Sequence, residues 1–342
     1  MPTDTEPTQT EPTETAQPQP DTGAAGDAGA DRVDPQRFAR LARGRIKGRG
    51  SPIGPATYLA DRQAALAAMR WDRFELRPIG PSIGATVDGV DLAGPLDEAT
   101  IDDLRRALVA HKVLVFREQH LDGATQAAFA RRFGDLETHP FLAGSDEQPE
   151  LVRLAKDAAV GGYENIWHSD VSWRERPALG AVLRAVEVPE VGGDTLWADM
   201  GAAYLALDDD LRALVDDAVA VHDFSMSFGM ALDDAALAEA RAAYPTVEHP
   251  VIRTHPESGE RIVYVNRIFT SHIVGLDEAT SEAVLAELCA QAEVPEHQMR
   301  LHWEPGMVAF WDNRATQHYA VSDYWPQVRV MERAAIVGDR PR

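Results

Sequence analysis

Short apolar, β-branched runs closed off by Gly- and Pro-bearing turns are the feature that most narrows what this chain can fold into. Strands are expected at Ala178–Val188, Pro250–Thr254, Arg261–Val265, Met299–Trp303 and Met307–Trp311, where branched and aromatic side chains suit a pleated surface. Pro256-Glu257-Ser258-Gly259 and Glu304-Pro305-Gly306 stand between neighbouring runs as turns, so the pairs read as antiparallel hairpins. Leu96–Thr100 precedes Ile101, Leu104, Leu108 and Val109 at helical spacing and feeds the strand-like Lys112–Phe116. Further helical patterns at Ala124–Phe133, Asp209–Val221 and Glu278–Ala292 are too few and too irregularly placed for the strand, helix, strand alternation of a parallel sheet. The expected fold class is therefore mainly β with flanking helices (α+β), a β-sandwich or jelly roll.

Composition sets the limits of that domain. The chain has 342 residues, 44% of them hydrophobic, enough to bury a sizeable core. Residues 1 to about 34 hold almost no large apolar side chain, and eight acids stand there against Arg32, so an acidic disordered tail is expected. Arg40, Arg43, Arg45, Lys47 and Arg49 read as a solvated basic linker, which gives a tail and linker over 1–70 and one folded domain over 71–342. A formal charge of −22 repels phosphate backbones and anionic lipid, so nucleic acid and membrane are not expected as partners. A single cysteine, Cys289, cannot form an intrachain disulfide, and no apolar run approaches 18 residues. A cytoplasmic protein, assembled as a homo-oligomer, is the expectation.

Chemistry enters at Trp167-His168-Ser169-Asp170. On an extended segment the period of two turns the His168 imidazole and the Asp170 carboxylate to the same face. Alone, a His-x-Asp is usually a surface or hydrogen-bonded pair. A third metal ligand is offered by His318 in Trp311–Tyr319, a polar-rich stretch after an expected hairpin. Two histidines and a carboxylate form a facial triad, the arrangement that holds Fe(II) and leaves about three positions open. Arg329 and Arg333 flank Met331, and strand alternation points both guanidiniums one way. A buried arginine pair would demand two anionic groups, whereas a surface pair would demand nothing. Spacing leaves that choice open.

From about Phe74 to its C-terminus the chain resembles the taurine dioxygenase family of Fe(II) and 2-oxoglutarate dependent oxygenases. The stretches that match are Phe133-Gly134-Asp135-Leu136 with His139-Pro140, Trp167–Asp170, Gly192-Gly193-Asp194-Thr195-Leu196-Trp197, Trp311–Tyr319, and Arg329–Arg333 with Gly338-Asp339. The resemblance implies a double-stranded β-helix, with His168, Asp170 and His318 as iron ligands and catalytic centre. It implies Arg329 and Thr195 as the grip on 2-oxoglutarate. His139, Arg333, Phe228 and Phe269 would bind a small anionic substrate, a sulfonate, with taurine the first expectation. The implied reaction consumes O2 and 2-oxoglutarate, releases succinate and CO2, and turns taurine into sulfite and aminoacetaldehyde. The carboxylate of Asp170 argues for hydroxylation, since relatives that halogenate lack it.

The departures fall where the substrate tail would lie. Tyr163-Glu164-Asn165-Ile166 precedes the first ligand where sulfonate-specific relatives tend to carry Asn, and Leu142, beside Phe141, replaces an expected aromatic. If Glu164 faced the pocket it would repel a sulfonate or pair with an ammonium. The same chemistry on an alkyl sulfate ester or an aryloxyalkanoate is the nearest alternative. A non-enzymatic jelly roll that binds metal or an anion is a different class. A zinc hydrolase would leave the arginine pair unexplained and lacks an evident carboxylate base.

Overall fold

The computed structural model describes residues 54–142, 144 and 148–342. The expected acidic tail over 1–34 and the basic stretch over 40–49 lie outside them. Ten strands position the site: β1 Glu75–Pro78, β2 Ala85–Asp88, β3 Val113–Phe116, β4 Leu151–Lys156, β5 Ala178–Glu187, β6 Thr195–Asp199, β7 Gln298–Leu301, β8 Val308–Asp312, β9 Thr316–Ala320 and β10 Arg329–Val337. Seven form a major sheet in the order β1-β2-β3-β8-β5-β10-β4, and three form a minor sheet in the order β7-β6-β9. Antiparallel pairing holds throughout except between β2 and β3, whose parallel register follows from the crossover helix Glu98–His111 between them. That helix starts where the Asp97 carboxylate accepts from Thr100 N–H at 2.8 Å, and it ends at Lys112, in the left-handed region at φ 64°.

Alternation along the strands sorts side chains between two cores. Val113, Val115, Ala181, Leu183, Ala309, Trp311, Met331 and Ala335 of the major sheet meet Trp197, Met299 and Leu301 of the minor sheet. The intervening residues, among them Leu114, Phe116, Val182, Phe310 and Ile336, turn the other way onto the helices Glu98–His111 and Gly123–Arg131. A third cluster lies outside the minor sheet, beneath the helices Met200–Ala206 and Glu278–Ala290. Burying each large apolar side chain contributes about 1.5–3 kcal/mol. The architecture is mainly β with flanking helices, as expected. No helix among the described residues is long and apolar enough to cross a membrane.

Three expectations need correction. Ile252–Thr254 and Arg261–Val263 do pair as a hairpin, but the strands on either side of Glu304-Pro305-Gly306 part company: β7 pairs with β6, whereas β8 sits between β3 and β5. The helix expected over Asp209–Val221 stops at Val215, and Val219–His222 is a strand paired with Val247–Pro250 and Thr270–Ile273. The linker assigned to residues up to 70 contains structure as well. Thr57–Leu59 and Ala60–Ala68 are helical, Leu59 is fully buried, and Arg62 bonds Glu260 and the Ala110 carbonyl.

Candidate metal and cosubstrate site

His168 lies beside the minor sheet and forms an isolated antiparallel bridge to His318 of β9. His168 N–H donates to the His318 carbonyl at 3.1 Å, and His318 N–H donates back at 2.8 Å. This pairing sets both rings on one face, their centroids 4.2 Å apart. Asp170, two residues on, shares that face. His168 Nε2 and His318 Nε2 stand 3.8 and 4.0 Å from Asp170 Oδ1, and the donor atoms of all three residues lie within 4.8 Å of one another.

The local backbone is held by side chains distant in sequence. The Asn313 carboxamide accepts from Asp170 N–H at 2.8 Å and donates to the Asp170 carbonyl at 3.0 Å and the Ala178 carbonyl at 3.2 Å. Val171, the next residue, sits at φ 47°, a left-handed conformation that costs a β-branched residue about 1–3 kcal/mol. Ser169 Oγ donates to the Thr316 carbonyl at 2.8 Å and ties the same segment to β9.

Protonation states suit metal binding. His168 Nδ1 lies 2.7 Å from the Ile166 carbonyl, which can only accept, so Nδ1 bears the proton and Nε2 offers its lone pair. Burial lowers His318 to about 3 and keeps it neutral at neutral pH. Burial alone would push the Asp170 carboxyl up, but the Arg333 guanidinium beside it overrides that and holds the group well below the usual carboxylate range. Two ligands each about 2.1 Å from one ion lie at most about 4.2 Å apart, so the carboxylate–imidazole spacings fit a common metal.

From the facing sheet, β10 directs Arg329 and Arg333 inward on the same face as Met331. Arg333 Nη1 bonds Asp170 Oδ1 at 2.8 Å and Oδ2 at 2.9 Å. Buried Arg329 donates from Nε to the Gly193 carbonyl at 3.0 Å and from Nη2 to Thr195 Oγ1 at 3.3 Å. Thr195 Oγ1 also accepts from Trp303 Nε1 at 2.9 Å, which leaves its own proton to donate. Gly193, at φ 68°, lets the chain pass under Arg329, where a Cβ would stand 3.1 Å from Arg329 Cδ.

His139 is buried, and its Nδ1 accepts from Phe141 N–H at 3.2 Å and Leu142 N–H at 3.0 Å. Burial and Arg333 lower it to about 3, so it is neutral with its proton on Nε2. Phe228 lies 5.3 Å from the His139 ring and stacks on Phe269 at 6.1 Å and on Phe141 at 5.0 Å. Glu164 does not stand as a free carboxylate: its Oε1 is 2.7 Å from Nζ of Lys156, the residue opposite Arg329 in the β4–β10 register. Sequence reasoning passed over Asn313, Trp303, Lys156 and Glu137. Asn313 stood inside a matching stretch, but no spacing linked it to Asp170. Glu137 is buried with Oε1 3.4 Å from Arg174 Nη2.

The chain matches the model of a family described as "Taurine catabolism dioxygenase TauD, TfdA family" over residues 75–335. The chain belongs to the TauD/TfdA family. It is 40% identical over 276 residues to the alpha-ketoglutarate-dependent sulfate ester dioxygenase of Pseudomonas putida, covering 78% of this chain and 91% of that one. With the (S)-phenoxypropionate/alpha-ketoglutarate-dioxygenase of Sphingobium herbicidovorans it shares 36% identity over 278 residues, 78% of this chain and 96% of the relative. A crystal structure of a taurine dioxygenase from Burkholderia xenovorans superposes with a TM-score of 0.69 at 36% identity, over 79% of this chain and 93% of the other. This TauD/TfdA member is therefore an alpha-ketoglutarate-dependent dioxygenase, with Fe(II) as its metal and O2 as a cosubstrate.

Proposed function

We propose that the protein, built as a double-stranded β-helix, hydroxylates the carbon bearing the anionic head of a small, apolar-tailed substrate, with an alkyl sulfate ester as the first candidate. The observation that carries this is the joint placement of His168, Asp170 and His318 beneath an inward strand whose Arg333 touches Asp170 and whose Arg329 reaches Thr195. His168, Asp170 and His318 hold the iron. Arg329 and the Thr195 hydroxyl grip the distal carboxylate of 2-oxoglutarate. When bound, the iron with 2-oxoglutarate and O2 supplies oxidative decarboxylation to succinate and CO2 and the oxygen atom that enters the substrate C–H bond. Arg333 and the His139 Nε2–H orient the substrate's anionic head, and Phe228 and Phe269 exclude water from its tail. Hydroxylation beside the sulfate oxygen gives an adduct that loses hydrogen sulfate and leaves an aldehyde.

Charge separates the candidate tails. Taurine, the first expectation from sequence, carries an ammonium group and needs a carboxylate not already matched to a cation. Asp170 has Arg333, Glu137 has Arg174 and Glu164 has Lys156, while Phe141, Phe228 and Phe269 offer apolar surface. Relatives named for sulfate esters and alkyl sulfates point the same way.

Succinate formation across alkyl sulfates, alkanesulfonates, taurine and phenoxyalkanoates tests the reading. Alkyl sulfates should give succinate, aldehyde and sulfate in equal amounts, whereas turnover of taurine alone would overturn the apolar tail. An anaerobic mixture with Fe(II) and 2-oxoglutarate should show a charge-transfer band, and its absence would favour a non-enzymatic binding module. Arg329→Ala should raise KM for 2-oxoglutarate about thirtyfold or more and Arg333→Ala that of the substrate. Equal effects on both would refute the assigned roles.

A further inference from the structure

We propose that Glu137 is a specificity-determining residue that limits the substrate's head group to one negative charge; this rests on the reading above and deepens it. Glu137 N–H donates to the Ala335 carbonyl at 2.8 Å, and Leu136 bridges Ile336, so the segment continues the pairing of β10 beyond β4. The same register places Glu137 beside Ala335, on the face that Ala335 shares with Arg333. The Glu137 carboxylate is 5% exposed, its Oε1 lacks any hydrogen-bond donor, and Arg174 stands 3.4 Å away. Burial pushes this carboxyl up, Arg174 and Arg333 pull it back, and Asp170 adds to the upward push.

Around the head group, the charges of Asp170 and Glu137 cancel those of Arg333 and Arg174. Ferrous iron adds two positive charges, and the keto-acid carboxylate of 2-oxoglutarate removes one. One positive charge is left, which a sulfate monoester, sulfonate or carboxylate neutralises. At the other end of the cosubstrate, Arg329 and Lys156 against Glu164 also leave one, for the distal carboxylate. A phosphate monoester, with about −1.5 to −2 at neutral pH, would bury uncompensated negative charge. Without Glu137 the site would carry one further positive charge and accept it.

The test compares an alkyl sulfate with the alkyl phosphate of equal chain length, and an alkanesulfonate with its phosphonate, by calorimetry on the anaerobic enzyme loaded with Fe(II) and 2-oxoglutarate at pH 8. The wild-type protein should prefer each monoanion. Glu137→Gln should shift the Kd ratio toward the dianion about tenfold or more, and Glu137→Asp, which keeps the charge, should retain the wild-type ratio. An unchanged ratio in Glu137→Gln, or an equal shift in Glu137→Asp, overturns the assignment of Glu137 alone. Failure of both monoanions to bind the wild-type protein overturns the substrate reading and takes this proposal with it.

Discussion

Asp170 is braced twice, through its carboxylate by Arg333 and through its backbone by Asn313. The second brace matters because Val171 beside it is strained and would relax if released. Asn313→Ala should therefore weaken metal binding more than it weakens the fold. A metal that binds only the native state raises stability in proportion to the logarithm of its affinity, and a tenfold loss of affinity removes about 1.4 kcal/mol of that gain. The rise in Tm on adding Mn(II) should shrink in the variant, while a purely structural role would lower both melting points and leave the rise unchanged. At this scale the shared face of His168 and Asp170 was legible, because a His-x-Asp on an extended segment needs only the strand period, while His318 was joined to them through its polar-rich stretch and the family resemblance. Asn313 and Glu137 were not, since their partners lie 143 and 37 positions away in the chain and only the folded sheets bring them together.

Among the elements, β5 and β8 were the most legible, expected over Ala178–Val188 and Met307–Trp311 and found over Ala178–Glu187 and Val308–Asp312; in β10, alternation put Arg329 and Arg333 on one side, and both are buried. The turn at Glu304-Pro305-Gly306 was also real, with Met307 N–H donating to the Glu304 carbonyl at 3.1 Å. Turn chemistry reports a reversal of direction, however, and cannot say whether the outgoing strand pairs with the incoming one or crosses to the facing sheet. The helix at Asp209 was overextended for a similar reason, as Val219 and Val221 fit a helical stripe and a strand equally well. Site and sheet meet at Gly180 in β5, where an added Cβ would stand 2.2 Å from the Trp311 carbonyl oxygen of β8. Gly180→Ala should cost about 1–3 kcal/mol, read as a lower urea midpoint. The charge-transfer band with Fe(II) and 2-oxoglutarate should weaken too, because the neighbouring Leu179 carbonyl accepts from Asn313 N–H at 2.9 Å. An unchanged midpoint would show that the two strands can part without cost.

The molecule as a whole stacks helices, major sheet, minor sheet and helices, and some of its histidines are locked neutral inside. Burial lowers His222 to about 3, and His111 and His249 to about 4. As pH falls below about 6.5 the unfolded chain takes up protons that the folded chain refuses, so the stability these groups provide is complete above that pH and drains away toward pH 3. The urea midpoint should fall steadily between pH 7 and 5. His222→Asn should flatten that slope, and a slope identical to the wild-type one would count against the sign of the effect. Arg329 and Arg333 project together only because an even number of steps separates them on one ladder, so one residue gained or lost in between would swing one of them to the opposite side. Loops elsewhere can drift in length over evolution, but this stretch can change its letters only at constant count.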